Sequence, residues 1–250
     1  DAVAVSDHIE YQPHRDDIPT NHNRPWEIAA ERGRQLDVLV IKAAEITRPT
    51  PPGHYNALFL KDIDRLVTDD FLAVIAAANE QGGFVFWNHH AWKGPERGRW
   101  SPLHTRMLEE GRLHGMEVAN GQHYYPDAHR WCLERNLTML GNSDIHEPSL
   151  RDKYTPQDHR TLTLVFARQR SVEAIHEALR RGRTAVWHEN RLIGRPDLLR
   201  RLLAACVTLS GLQQKGELLT GRLTNHALMD FKLQRAGDIG PETIEIKANS

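Results

Sequence analysis

The sequence predicts an α/β fold, built either as a barrel or as an open doubly wound sheet. Eight short apolar runs recur along the chain, and amphipathic stretches of helical period lie between several of them. The runs are continuous rather than alternating, which suits strands buried on both faces of a parallel sheet.

In chain order the first three strands are AVAV (2–5), VLVI (38–41) and YNALFL (55–60). Thr68 is a candidate N-cap, with Asp69 and Asp70 in the first turn and Phe71, Leu72, Val74 and Ile75 as the apolar stripe. GFVFW (83–87) is the fourth strand. Ser101-Pro102 then opens a second helix, because proline is tolerated at the first helical position. MEVA (116–119), LTML (137–140) and LTLVFA (162–167) are further strands. Ser171 starts a third helix that stops near Gly182, and TAVW (184–187) is the eighth strand. After about residue 195 the texture changes. Residues 198–207 read as one more helix, and short segments around 218–223 and 229–233 complete a small C-terminal extension. The expected division is therefore 1–195 and 196–250.

Composition excludes several classes. The 250 residues carry 32 Lys+Arg against 33 Asp+Glu, so the net charge of −1 argues against a nucleic-acid wrapper or membrane-surface binder. No apolar run approaches the ~20 residues of a membrane span. The two cysteines, Cys132 and Cys206, form no CxxC pair. No HExxH, GxSxG, P-loop or GxGxxG motif occurs.

The chemistry lies in the 15 histidines and their neighbours. AVAV leads into Ser6-Asp7-His8, VLVIKAA into Glu45, GFVFW into Asn88-His89-His90, and LTMLG into Asn142-Ser143-Asp144-Ile145-His146. Pro52-Gly53-His54 sits in a loop before YNALFL. In a parallel barrel the C-terminal strand ends converge on one face. A lone histidine beside a strand is usually a hydrogen-bonded structural residue. Several strand ends carrying imidazole or carboxylate together are better explained by a dication, since burying so many ionisable groups without one is costly. Imidazole and carboxylate together suit Zn²⁺, Fe or Mn²⁺.

Taken in order, Ser6-Asp7-His8, Glu45, Gly53-His54, Asn88-His89 and Ser143-Asp144-x-His146 resemble the successive motifs of the PHP (polymerase and histidinol phosphatase) superfamily. The strings AAEITRPTPPGHYNALFL, GGFVFWNHHAWK and EVANGQHYYPDAHRWCLERNLTMLGNSDIH are similar to bacterial PHP-domain phosphodiesterases acting on organophosphate diesters. The resemblance implies a distorted seven-stranded (β/α) TIM-like barrel with two to three divalent ions at the C-terminal strand ends. It implies that Glu45 bridges two ions, that His54 and His89 join it at one of them, that Asp144 holds the ion on its other side, and that His8 and His146 hold a third. Asp7 is expected beside these ligands rather than on a metal, orienting a histidine or the loop.

In the family an opening His-x-His strand supplies further ligands, and it would lie upstream of Asp1. The expectation is that the first barrel strand is missing and that this chain binds one ion well and two poorly. The proline usual after Asn88-His89 is replaced by His90, which could replace a metal ligand, contact phosphate or stand as a tolerated substitution. Arg48 could fork onto a phosphate oxygen. Tyr124, Tyr125 and Trp92 could line a pocket for an organic substituent.

The implied activity is hydrolysis of a small organophosphate diester by a metal-activated hydroxide. The alternatives are a monoesterase of histidinol-phosphatase type and an inactive truncated or degenerate barrel. No nucleic-acid or membrane partner is expected. The oligomeric state is open, and an upstream signal peptide would favour a periplasmic or secreted location.

Overall fold

A computed structural model describes residues 1–146 and 159–249, apart from Leu228, Ala236 and Ile239. All eight apolar runs overlap strands. Strand β1 (Ala2–Val5) pairs parallel with β2 (Leu39–Thr47), and helix α1 (Arg24–Leu36) packs between them in sequence. β2 pairs antiparallel with β3 (His54–Leu58). After a short 3-10 turn and helix α2 (Phe71–Glu80), β4 (Phe84–Trp87) pairs antiparallel with β3. Helix α3 (Pro102–Glu109) leads to β5 (Gly115–Asn120), which is parallel to β4 and carries the two-residue β6 (His123–Tyr124) at its end. Helix α4 (Pro126–Glu134) then leads to β7 (Thr138–Asn142), parallel to β5. These seven strands form one curled, half-barrel sheet, and among the described residues no ladder joins β1 to β7.

A second sheet follows. β8 (Leu162–Val165), helix α5 (Val172–Arg180), β9 (Thr184–His188) and β10 (Arg191–Gly194) give three antiparallel strands. Threonine hydroxyls, rather than a ladder, join this sheet to the first. Thr163 Oγ1 donates to Gly141 O at 2.8 Å and lies 2.9 Å from Gly141 N, Thr184 Oγ1 donates to Met139 O at 2.7 Å, and Thr161 Oγ1 donates to Gly121 O at 2.5 Å. Helix α6 (Pro196–Cys206) leads to two hairpins, β11 (Val207–Lys215) with β12 (Leu218–Asn225) and β13 (Phe231–Gln234) with β14 (Thr243–Ile246). Among the described residues no helix is long and apolar enough to cross a membrane.

The structure corrects several expectations. The sheet is mixed, because β3 runs against both of its neighbours. β1 is largely exposed, as an edge strand with one ladder partner, whereas β4 and most of β5 are buried on both faces. Asp70, not Thr68, caps α2, its carboxylate accepting from Leu72 N and Ala73 N. Asp70 has the extended backbone that an N-cap needs, and its carboxylate complements the helix dipole. Val207 opens a strand instead of ending a helix. Helix α1 was not among the elements expected from the sequence, although Pro25 at its first turn is a start signal.

The main core lies between the half-barrel and helices α2 to α4. Trp87 stacks on His104 with ring centroids 3.8 Å apart and lies parallel to Trp131 at 6.1 Å. His104 is 1% exposed, and its Nδ1 accepts from Ser101 N at 3.0 Å. Burial, and after it the charge of His90, push the His104 imidazole down to about 4 from 6.5. The fold therefore favours the neutral ring, while the unfolded chain takes up a proton near 6.5. The stability that His104 contributes is complete above that value and is lost as pH falls from 6.5 to about 4. Melting temperatures measured across this window should fall with acid, and His104→Gln should flatten the slope.

A second test concerns the junction of the sheets. A Cβ on Gly141 would stand 2.2 Å from Val186 Cγ1 and 3.0 Å from Thr161 Cγ2. Gly141→Ala should destabilise the protein by about 1–3 kcal/mol in denaturant melts. Adding Val186→Ala should give a double variant that loses less than the sum of the two changes.

Candidate metal centre

The site begins with Glu45, which lies inside β2 rather than after it. Alternation along the strand puts Ala43, Glu45 and Thr47 on one face. The chain after β1 docks alongside, with Glu45 N donating to Asp7 O at 2.9 Å and Ile9 N donating to Glu45 O at 3.0 Å. His8 is thereby bridged to Glu45. The antiparallel β2–β3 register sets Thr47 opposite His54, so His54 opens a strand and lies diagonal to Glu45. Asn88 N donates to His54 O at 2.9 Å, which fixes the chain at the end of β4 and delivers His89 to the same place.

Glu45 Oε1 is 2.9 Å from His54 Nδ1, and His54 Nδ1 is 3.0 Å from His89 Nε2. The three residues each offer a donor atom within 4.8 Å of the others and could hold a metal ion. His8 Nδ1 lies 3.4 Å from the same Glu45 oxygen and 2.5 Å from Thr47 Oγ1. His8 Nε2 is 3.4 Å from His146 Nε2. His146 Nδ1 lies 3.0 Å from Asp144 O and 4.0 Å from Asp144 Oδ1. Asp144 adopts φ +50, a left-handed backbone that a short polar side chain tolerates.

Charge explains the protonation of the pair at the centre. Burial pushes the Glu45 carboxyl up, but the hydrogen bond from His54 and the charges of His8, His89 and His54 outweigh it and hold it below its usual range. Burial likewise works against protonating His89, and the hydrogen bond to Glu117 with the charges of Glu117, Glu45 and Asp144 raises its pKa overall.

Sequence reasoning missed Glu117. It sits in β5, 1% exposed, in a run read only as an apolar strand. Its Oε2 accepts from His89 N at 2.6 Å, lies 3.2 Å from His89 Nδ1 and accepts from Asn120 Nδ2 at 3.1 Å. Its Oε1 accepts from Asn142 Nδ2 at 2.7 Å. A carboxylate on Nδ1 fixes the tautomer and turns the Nε2 lone pair toward Glu45 and His54. The readable signal was an acid in the middle of a strand with apolar neighbours on both sides.

Four expected residues lie elsewhere or are engaged. The Asp7 side chain is exposed and, with His8, Tyr11, Asn21 and His22, lines a neighbouring cavity of about 180 Å³, while its carbonyl accepts from Glu45 N. The Arg48 guanidinium is held by Glu10 and by Thr68 O, so its fork is occupied within the protein. His90 is 5% exposed and packs against Trp87, Tyr125 and Trp131, which places it in the aromatic core instead of beside His89 in the cavity. Burial pushes it down to about 4. Tyr124 OH pairs with His129 Nδ1 at 2.7 Å, and Tyr125, not Tyr124, lines the cavity. That cavity measures about 700 Å³ and gathers His8, Glu45, His54, His89, Asp144 and His146 with Trp92, Asn120, His123 and Tyr125.

The chain is similar to a known structure over its whole length. A two-domain protein from Bacteroides vulgatus, described as containing a predicted PHP-like metal-dependent phosphoesterase, is 41% identical. It overlays with a TM-score of 0.91, covering 100% of this chain and 75% of that one. The DNA relaxase MbeA of Escherichia coli is 30% identical over 121 residues, which are 45% of this chain and 23% of that protein. The chain thus spans less than a quarter of that relative's length. No family model matches.

The Glu117 arrangement gives a direct test. Glu117→Gln keeps the side chain's shape but offers Nδ1 a weaker acceptor. Metal titration by calorimetry should show affinity lower by about 10- to 100-fold, with the melting curve much less affected.

Proposed function

The chain belongs to the PHP superfamily, and from that premise we propose that it is a metal-dependent phosphoesterase hydrolysing a small organophosphate diester. The observation that supports this best is the convergence of Glu45, His54 and His89 in one cavity. One carboxylate oxygen and two imidazole nitrogens, one of them oriented by a buried carboxylate, are a donor set that fits Zn²⁺, Mn²⁺ or Fe. Glu45, His54 and His89 would hold one divalent ion. His8, Asp144 and His146, on the same wall, would serve a second or third. Such ions, when bound, supply charge that neutralises phosphoryl oxygens and acidifies water. In this reading the half-barrel is the main part of the distorted seven-stranded barrel of residues 1–195, and 196–250 form a separate C-terminal unit.

The chain's own groups favour a diester. Among the described residues the cavity wall holds Glu45 and Asp144 and no lysine or arginine. With both carboxylates taken up by the ions, a diester's single negative charge is met by the metals, whereas this wall offers no guanidinium for a monoester's second charge. Asn120 presents its amide at the wall while holding Glu117. Tyr125 adds a phenol whose pKa is pushed up to about 12, by burial first and then by the charges of Glu117 and Asp144. It therefore stays a neutral hydrogen-bond donor at working pH. A DNA strand would need a basic track, and neither the described residues of this wall nor the net charge of −1 offers one.

The test is an assay of protein loaded with Zn²⁺, Mn²⁺ or Fe²⁺ in turn. Bis(4-nitrophenyl) phosphate should be turned over with a kcat/KM at least about tenfold above that of 4-nitrophenyl phosphate. Glu45→Gln and His54→Ala should lose bound metal and at least about 100-fold in rate. A preference for the monoester overturns the diester assignment, and metal-loaded protein that hydrolyses neither ester overturns the hydrolase reading.

A further inference from the structure

The cavity is lined by two chemically different groups of residues. One is the cluster of histidines and carboxylates. The other comprises Ala91, Trp92, Gly94, His123 and Tyr125. Trp92 is 47% exposed, a large apolar surface left in solvent directly beside the charged cluster. Its ring centroid lies 5.2 Å from that of His54 and 6.0 Å from that of His89.

The segment that carries the indole is held in place. Trp92 N donates to His89 O at 3.0 Å, and Gly94 N donates to Ala91 O at 2.9 Å. The loop then returns so closely that a Cβ on Gly98 would stand 2.2 Å from His90 O. The Lys93 ammonium sits 3.8 Å from the indole centroid, a cation–π contact that further fixes the ring. Its neighbours leave room. Gly94 adopts φ +102, and nothing lies within 4 Å of where its Cβ would be. Tyr125 is equally anchored, with its N donating to Val118 O at 2.9 Å and its ring 5.1 Å from His90.

A cavity of this volume suits a small molecule, and rigid aromatic side chains beside a reactive centre commonly receive a flat apolar group. We propose that Trp92 and Tyr125 form a subsite for an aromatic ring carried on the phosphoester, so that the preferred substrate is an aryl-substituted phosphodiester. Trp92 is then the specificity-determining residue, and its indole is covered when substrate binds. This inference rests on the phosphoesterase reading and adds the class of substituent.

The test compares diphenylphosphinate with dicyclohexylphosphinate, whose P–C bonds are not hydrolysed, as ligands of the metal-loaded protein. The two have the same charge and ring count, but only one has flat rings. Calorimetry should show diphenylphosphinate binding roughly tenfold more tightly. Trp92→Ala should reduce that ratio to about twofold or less, and Trp92→Phe should keep most of it. Taking a ratio within each variant cancels any general loss caused by disturbing His54 or His89. Equal affinities in the unaltered protein, or a ratio that survives Trp92→Ala, overturn the subsite. Because binding is read without turnover, the two readings fail separately. A clear aryl preference with no hydrolysis removes the hydrolase reading alone, and hydrolysis without aryl preference removes the subsite alone.

Discussion

A carboxylate that is nearly out of solvent has to be matched by positive charge or by hydrogen-bond donors. Glu45, 5% exposed in the middle of β2, imposes that condition on everything around it. Leaving such a group ionised and unpaired would cost several kcal/mol. Three different segments answer it: the chain after β1 with His8, the start of β3 with His54, and the end of β4 with His89. Each of these is itself held by backbone hydrogen bonds to its neighbour. Glu117 repeats the condition one layer further out, satisfied by His89, Asn120 and Asn142. Two buried acids and their partners thus tie β1 to β5 and β7 through side chains as well as through the sheet.

The eight strands were legible because each is a run of apolar residues, and burial depends on just that. Their directions were not, since an apolar run reads the same either way. That gap had a consequence for the site. In an all-parallel sheet His54, at the beginning of its strand, would lie at the opposite rim from the end of β2. The reversal of β3 is what brings His54 beside Glu45. Placing His54 with the other site residues was right in space, while the parallel arrangement assumed alongside it would have kept them apart.

The residues that were misplaced share a cause as well. His90 and Arg48 were chosen for chemical type and nearness in sequence to a candidate ligand. Successive residues after β4 point different ways, so His89 reaches the cavity and His90 enters a cluster of aromatic rings. Arg48 finds Glu10 and a carbonyl close by, because the chain after β1 returns alongside β2. Glu117 was overlooked for the converse reason: one acid among apolar neighbours looked like a tolerated exception, and its partners lie on three other stretches of chain.

The joint between the two sheets has a different logic from the ladders within them. In a ladder the bonding groups belong to the main chain, so almost any amino acid can occupy a rung. At the joint they belong to the side chains of Thr161, Thr163 and Thr184, which reach Gly121, Gly141 and Met139. A hydroxyl on a short side chain is supplied only by serine or threonine. Substitutional freedom at those three positions is accordingly narrow, and the coding sequence, not only the backbone trace, records where one sheet was fastened to the other.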